Sequence, residues 1–126
     1  MDTLAHLYLE HTYDSTFLGD RWGVQGYVRI RNIELNQDQF ICDDGWDLND
    51  ANVICRMLGF PGALDATVRS QYGVPYGTAG LSNVKCTGTE NSIFDCPSDP
   101  NPTCDNLRSA GVRCLGNCIL FCIEKN

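Results

Sequence analysis

The chain has 126 residues, a formal net charge of −7 and eight cysteines. Its length accommodates one domain, and its 10% aromatic and 20% charged residues are typical of a globular fold and not of a disordered chain. The acidic balance disfavours nucleic-acid binding. No apolar run approaches the roughly twenty residues that insert into a bilayer.

The cysteines indicate a disulfide-stapled domain from an oxidising, extracellular compartment. No Cys-x-x-Cys pair occurs, and His6 and His11 lie far from every cysteine in the sequence, which disfavours a zinc site. Residues 1–4 begin with an acid and lack the apolar run of a secretory signal. We therefore expect a mature or excised segment of an exported protein.

The first third of the chain predicts β-structure. Alternating apolar and polar residues at 4–13 predict an edge strand. Residues 14–23 predict a loop, and 26–31 predict a second strand. Residues 34–39 predict a hairpin connection into a further strand around 39–42.

One main helix is predicted at about residues 50–58. Asn49, or alternatively Asp47, can accept hydrogen bonds from the amides of the first turn. Gly59 can end the helix in a left-handed conformation. The positions expected on its buried face are Ala51, Ile54, Cys55 and Leu58.

The remaining segments predict short elements between loops. Residues 61–80, rich in Gly, Pro, Tyr and Ser, predict a long irregular surface loop. A short strand is predicted at 81–86, a helical turn at 92–95 and a second, proline-rich loop at 97–103. Residues 111–114 predict a closing strand.

Four segments resemble the scavenger receptor cysteine-rich (SRCR) family: CDDGWDLNDANVICRMLGF at 42–60, VKCTGTE at 84–90, FDC at 94–96 and AGVRC at 110–114. The resemblance covers about residues 24–115, and extends to about Leu4 if the first strand belongs to the domain. Residues 116–126 form a tail outside it. The resemblance implies one domain across 1–126 with an α+β fold, in which a curved antiparallel sheet cradles one main helix between long irregular loops.

The resemblance also implies the disulfide pairing of the six-cysteine subclass. The implied bridges are Cys42–Cys104, Cys55–Cys114 and Cys86–Cys96. Cys118 and Cys122 lie outside the family pattern and could pair with each other, link to a partner chain or belong to a neighbouring segment. We favour the first alternative, because a four-residue step in a turn brings side chains together.

Asp43 and Asp44 are the candidate metal ligands. Many family members bind a divalent cation, usually calcium, through this adjacent pair and a glutamate before the closing Ala-Gly-Val segment. Arg108 stands at that glutamate position here. We favour an ion pair in which Arg108 replaces the metal, so that no cofactor is required. The alternative is calcium binding with Asp105 as a substitute ligand.

Arg29 and Arg31 are the candidate ligand-binding residues. They share a strand face with Tyr27, opposite Val28 and Ile30. Two guanidinium groups on an exposed face could bind sulfate, phosphate or carboxylate, although a solvated strand face is the simpler interpretation, which we favour. Some relatives bind microbial surfaces here through a Gly-Arg-Val-Glu-Val string followed by tryptophan. This strand departs from that string, so we do not carry the activity over.

The aromatic residues divide into core and loop positions. Trp46 resembles an internal family tryptophan and is expected in the core. Trp22, Tyr72 and Tyr76 fall in predicted loops, where exposed aromatics can anchor a partner. For at least two of them we favour local packing.

No catalytic set emerges. His11, Asp14 and Ser15 can be combined on paper, but nothing indicates a nucleophile elbow, so we expect no enzyme activity. The resemblance implies a secreted or ectodomain recognition module that binds a protein or polyanionic ligand, as relatives do on scavenger and immune receptors. The alternatives are an assembly unit of a larger extracellular polymer or matrix, linked through Cys118 or Cys122, and an ancillary domain of a secreted protease or oxidase.

Overall fold

The computed structural model describes residues 5–10, 16–18, 21–32 and 35–116. Among these residues the strands are β1 (Ala5–Glu10), β2 (Thr16–Leu18), β3 (Arg21–Asn32), β4 (Gln37–Ile41), β5 (Ala63–Thr67), β6 (Thr78–Leu81) and β7 (Gly111–Cys114). The helix α1 covers Leu48–Met57, and a short 3-10 turn covers Ile93–Asp95. No helix in this part of the chain combines the length and apolar character needed to cross a membrane.

The sheet is built around the long strand β3. Its order is β5-β7-β3-β4-β6, and β1 and β2 also pair with β3. Every pairing is antiparallel except that of β4 with β6. The connection from β4 to β6 contains α1 and β5, which is long enough for the chain to return in the parallel direction. The α+β fold class is confirmed: one helix packs against a curled, mixed sheet.

Three predicted elements differ from the structure. The loop at 14–23 is wrong at the residues that the structure describes there, 16–18 and 21–23, because β2 pairs with the start of β3. The loop at 61–80 is wrong in part, because it contains β5 and the start of β6. The strand at 81–86 is also wrong, since β6 ends at Leu81. The side chains there still alternate between buried and exposed as expected, with Val84 buried and Lys85 exposed.

The helix begins with a capping box. The Asp50 N–H donates to Asp47 Oδ1 at 3.2 Å, and the Asp47 N–H donates to Asp50 Oδ2 at 2.9 Å. Asp47, the alternative cap, is therefore the N-cap, and Asn49 lies inside the helix. At the other end Gly59 has φ +95°, and the Phe60 N–H donates to the Cys55 carbonyl at 2.9 Å, which is a Schellman motif.

The core lies between α1 and the sheet. Its centre includes Val28, Ile41, Ile54 and Val112, none of them accessible to solvent. Trp46 is buried, as expected, and its Nε1–H donates to the Gly111 carbonyl at 2.9 Å.

The three bridges that the resemblance implied are present in the structure: Cys42–Cys104, Cys55–Cys114 and Cys86–Cys96, with Cα separations of 6.0, 5.4 and 4.8 Å. The second of these ties α1 to β7. Cys118 and Cys122 lie outside the described residues, and so does the prediction made for them.

Candidate binding site

Asp43 and Arg108 meet because two chain segments run side by side. The Ala110 N–H donates to the Ile41 carbonyl at 2.8 Å, and the Asp43 N–H donates to the Arg108 carbonyl at 2.9 Å. The guanidinium then reaches the Asp43 carboxylate, with Nε and Nη2 each 3.1 Å from Oδ1. The Asp43 side chain is only 2% exposed, whereas that of Arg108 is 54% exposed. Hydrogen bonding to Asp43 raises the pKa of Arg108 further, so the guanidinium stays protonated.

Both carboxylate oxygens of Asp43 already accept hydrogen bonds from the protein. Oδ2 accepts from the Arg69 N–H at 2.7 Å and from Arg108 Nε at 3.3 Å. Arg69 and Ser70 have φ of +57° and +53°, a conformation that non-glycine residues rarely adopt. A cleft of about 200 Å³ adjoins the pair and is lined by Cys42, Asp43, Asp44, Ser82, Thr103, Cys104 and Arg108.

The residues around this cleft do not fit a calcium site. Asp44 is exposed, and its Oδ1 accepts from the Asn83 N–H at 3.1 Å. Asp105 Oδ1 accepts from the Leu107 N–H at 3.0 Å, so its carboxylate is engaged in its own turn. A guanidinium lies on the principal carboxylate, where calcium needs several oxygens. The geometry matches the ion pair expected for Arg108.

Arg29 is not exposed, and the predicted open strand face is wrong. The residue is completely buried, and Tyr27 on the same face is 1% exposed. The cause is the segment before β6, which covers this face of β3. Arg29 Nη1 donates to the Tyr76 carbonyl at 3.0 Å, and its Cζ lies 4.0 Å from the centre of the Tyr76 ring. A cation over an aromatic face is attracted to it, most strongly where water is excluded.

Arg31, two residues along the strand, is partly exposed and paired. Its Nη1 lies 3.0 Å from Asp38 Oδ1 on the neighbouring strand, and its side chain remains 36% exposed. Nη2 donates to Asn36 Oδ1. The other Asp38 oxygen accepts a hydrogen bond from the Tyr76 hydroxyl at 2.9 Å. Asp38 therefore connects Arg31 to the tyrosine that covers Arg29.

A second cleft, of about 280 Å³, lies against this network. It is lined by Gln37, Asp38, Tyr76, Gly77 and Thr78. Gly77 has φ +83°, and a Cβ atom there would lie 2.9 Å from the Asp38 carbonyl oxygen and 3.7 Å from Arg29 Nη2. The Arg29 guanidinium thus lies directly behind the cleft wall.

Sequence reasoning missed Asp38 and the position of Tyr76. Asp38 could have been found, because the hairpin between β3 and β4 places Arg31 opposite Asp38. Tyr76 was noted only as a loop aromatic, and it is 60% exposed. Tyr72 is partly buried, which raises the pKa of its hydroxyl. The Trp22 side chain lies outside the described part of the structure.

Curated relatives share sequence with most of the described chain. Lysyl oxidase homolog 2 of Rattus norvegicus is 42% identical over 96 residues, which are 75% of this chain and 12% of the relative. Macrophage receptor MARCO of Mus musculus is 47% identical over 76 residues, 59% of this chain and 14% of the relative. Galectin-3-binding protein of Pongo abelii is 46% identical over 94 residues, 73% of this chain and 16% of the relative. The chain thus corresponds to a small part of each.

Solved structures share both the fold and the sequence. The SRCR domain of mouse MARCO, in its dimeric form, superposes with a TM-score of 0.64 at 41% identity, covering 71% of this chain and 85% of that one. The third SRCR domain of murine neurotrypsin gives a TM-score of 0.70 at 31% identity, covering 87% and 95%. The family model of the scavenger receptor cysteine-rich domain matches residues 19–115. The chain belongs to the scavenger receptor cysteine-rich family, whose disulfide-rich domains are typical of extracellular and secreted proteins.

Proposed function

We propose that this domain is an extracellular recognition module that binds anionic ligands at the cleft beside β3 and β4. The observation that carries the proposal is that both arginines of β3 contact residues that line this cleft, since Arg31 pairs with Asp38 and Arg29 lies against Tyr76. Arg31 lies at the surface, and Arg29 lies behind the wall formed by Tyr76 and Gly77. Guanidinium groups bind carboxylate, sulfate and phosphate through paired hydrogen bonds.

The family supports a binding function. The SRCR domain is itself non-catalytic, and it occurs in scavenger receptors such as MARCO and in lysyl oxidase homologs whose catalytic domains lie elsewhere in the chain. A net charge of −7 opposes anion binding over most of the surface. Recognition therefore depends on a local cationic site, which the arginines of β3 supply.

Binding should not require a metal ion. The Arg108 guanidinium supplies a positive charge to the carboxylate of Asp43, whose two oxygens are both engaged. A chelator is therefore expected to leave ligand binding unchanged. Binding that a chelator does not change would distinguish the proposed arginine site from a calcium-dependent site at the acidic pair, which the family resemblance implies for many relatives.

The test is binding of a sulfated polysaccharide to the immobilised domain, measured with and without a chelator. Arg31→Gln should weaken binding at least about tenfold, because one charge-assisted contact contributes about 1.5–3 kcal/mol. Arg56→Gln is the matched control, since Arg56 is an exposed arginine on α1 whose Nη2 donates to the Glu90 carbonyl. Absence of binding by the wild-type domain, or equal losses in both variants, would refute the proposal.

A role as an ancillary module of a larger protein is the second candidate. The observation that favours it is the 42% identity to lysyl oxidase homolog 2, of which the match covers only 12%. Both roles are compatible, because the anion site could position a catalytic domain elsewhere in the same chain.

Covalent assembly through Cys118 or Cys122 is tested by native mass and by mobility on a non-reducing gel. A monomer without a reactive thiol would exclude it.

A further inference from the structure

Residues 100–103 form a proline-rich segment between two fixed points of the chain. Before them, Asp99 exchanges backbone hydrogen bonds with Ser82 at 2.8 and 3.1 Å. After them, Cys104 forms the bridge to Cys42. The four residues between make a single hydrogen bond within the described chain, and it goes to the neighbouring Asp99 side chain. The backbone of this segment is therefore open to an incoming protein.

The two prolines, Pro100 and Pro102, limit the shapes that the segment can adopt. The proline ring fixes φ, and it steers the preceding residue away from the helical region. No helix, strand or turn is formed at residues 102–105. An irregular backbone without internal pairing is the form in which the groove of a peptide-binding enzyme takes an extended chain.

Thr103 offers a free hydroxyl in this segment. The residue is exposed, and neither its hydroxyl nor its backbone makes a hydrogen bond within the described chain. The other threonines that the structure shows as exposed are engaged. Thr78 accepts from Gln39 at 3.5 Å, and the hydroxyls of Thr87 and Thr89 are 3.0 Å apart. Thr103 can therefore react without the loss of a contact.

Ser98 also stands beside a proline, but its backbone is held on both sides. The Pro97 carbonyl accepts a hydrogen bond from the Lys85 N–H at 2.9 Å, and Asp99 is paired with Ser82. A groove that binds an extended chain would have to break these contacts to reach Ser98. The structure therefore favours the threonine over the serine.

The proline before Thr103 decides which kind of glycan this loop can carry. Asn101-Pro102-Thr103 has the spacing of an N-glycosylation acceptor, but proline in the middle excludes that reaction. Threonine and serine residues among prolines are instead typical acceptors of O-linked sugars in secreted proteins. Pro102 thus removes the nitrogen acceptor and favours the oxygen acceptor.

We propose that Thr103 is an O-glycosylation site that receives N-acetylgalactosamine from a nucleoside diphosphate sugar. Thr103 Oγ1 forms a bond to the anomeric carbon as the bond from that carbon to the diphosphate breaks. The nucleoside diphosphate leaves with the bonding electron pair, and the hydroxyl proton passes to solvent. The reaction needs passage through the secretory pathway, which is typical of the family. It does not rest on the anion site beside β3 and β4.

A glycan on Thr103 stands beside the ion pair of Asp43 and Arg108. All three residues line the cleft of about 200 Å³, and the Arg108 side chain is 54% exposed. The first sugar is attached at the wall of this cleft and therefore shields the guanidinium from solvent. The modification would restrict access to the cleft without changing the ion pair.

The experiment secretes the chain from cultured animal cells and locates O-linked sugars by mass spectrometry with electron-transfer fragmentation. N-acetylgalactosamine is expected on Thr103 and not on Thr87 or Thr89. Thr103→Val should lose the sugar and still fold, because the hydroxyl has no partner within the described chain, and Thr103→Ser should keep it. Thr89→Val is the matched control and should leave the modification of Thr103 unchanged.

Three outcomes would overturn the proposal. They are an unmodified Thr103 in the secreted wild type, a sugar on Ser98 alone, and a hexose in place of the N-acetylhexosamine. The shielding of the cleft is measured separately, as the rate at which phenylglyoxal modifies Arg108. This rate should be lower in the glycosylated wild type than in Thr103→Val, with the exposed Arg56 as an unaffected control. Equal rates at Arg108 refute the shielding and leave the glycosylation site standing.

Discussion

The carboxylate of Asp43 is almost completely buried, and a buried charge needs a partner. Arg108 supplies it from the surface and occupies the position at which the family resemblance implies an acidic ligand. A glutamate at this position would remove the competing cation and add two oxygens beside Asp43 and Asp44. The local chemistry would then change from an ion pair to a set of ligands suited to calcium.

Arg108→Glu is therefore expected to create calcium affinity. By calorimetric titration the variant should bind calcium with a Kd of about 10⁻⁴–10⁻³ M, the range of extracellular modules, and the wild type at least tenfold more weakly. Arg108→Gln is the control that removes the guanidinium without adding a ligand. Calcium binding by the wild type as tight as that by the variant would show that the ion pair does not replace the metal.

Asp50 carries a second buried carboxylate, at the start of α1. It accepts hydrogen bonds from the Cys86 N–H and the Asp47 N–H, each at 2.9 Å. Burial nevertheless raises its pKa from 3.8 to about 6, and the negative charge of Asp47 adds to the rise. Because the folded state binds this proton more tightly than the unfolded state, its contribution to stability is complete below about pH 4 and is lost as the pH rises to about 6.

Asp50→Asn should remove this pH dependence. The variant will be less stable at every pH, because an amide cannot accept both backbone hydrogen bonds equally well. The informative quantity is therefore the slope of the free energy of unfolding against pH. Between pH 4 and 6 the wild type should lose stability relative to the variant by at most about 1.4 kcal/mol per pH unit. Urea unfolding at pH 4, 5, 6 and 7 measures this difference, with the exposed Asp95→Asn as control. Parallel profiles for wild type and Asp50→Asn would contradict the assignment.

The burial of Arg29 shows where sequence reasoning at single residues ends. Alternation along β3 correctly placed Val28 and Ile30 in the core, but a strand pattern only separates two faces. The second face is covered by Tyr76, 47 residues further along the chain. No local signal specifies that contact. The pairing of Arg108 with Asp43 was predicted only because the family resemblance related two distant motifs.

At the scale of elements, α1 was the most predictable because its signals are local. The capping box and the Schellman motif each involve residues within five positions of one another. The strands β5 and β6 were missed because they depend on distant partners. Ala63 in β5 pairs with Cys114 in β7, and β6 pairs in parallel with β4. Strand formation depends on such packing more than on intrinsic preference.

Substitutions of Gly59 test how much the stability of the helix end depends on backbone conformation alone. A Cβ at Gly59 would meet no atom within 4 Å, so a substitution adds no clash. Gly59→Ala should still cost about 1–2 kcal/mol, because φ is +95° and L-residues avoid positive φ. Gly59→Asn should cost less, since asparagine tolerates this region better. Urea unfolding compares the two variants, and an alanine variant as stable as the wild type would contradict this account.

At the scale of the whole molecule, three disulfides close loops of very different length. The sequence separations are 62 residues for Cys42–Cys104, 59 for Cys55–Cys114 and 10 for Cys86–Cys96. Restriction of the unfolded chain gives roughly 4 kcal/mol for each long closure and roughly 3 kcal/mol for the short one. Each value is a large fraction of the about 5–15 kcal/mol by which a domain is stable.

Removal of Cys42–Cys104 should lower the free energy of unfolding by more than removal of Cys86–Cys96, and by more than their loop-closure entropies alone account for. Cys104 lies four residues before Arg108, so its bridge also anchors the segment whose guanidinium neutralises the buried Asp43. We expect the paired substitution of Cys42 and Cys104 by alanine to lower the free energy of unfolding by at least about 1 kcal/mol more than the same change at Cys86 and Cys96. Urea unfolding with non-reduced protein measures both. Equal losses would mean that the long bridge neither restricts the unfolded chain nor supports the ion pair, and that the cleft around Asp43 is held together by its hydrogen bonds alone.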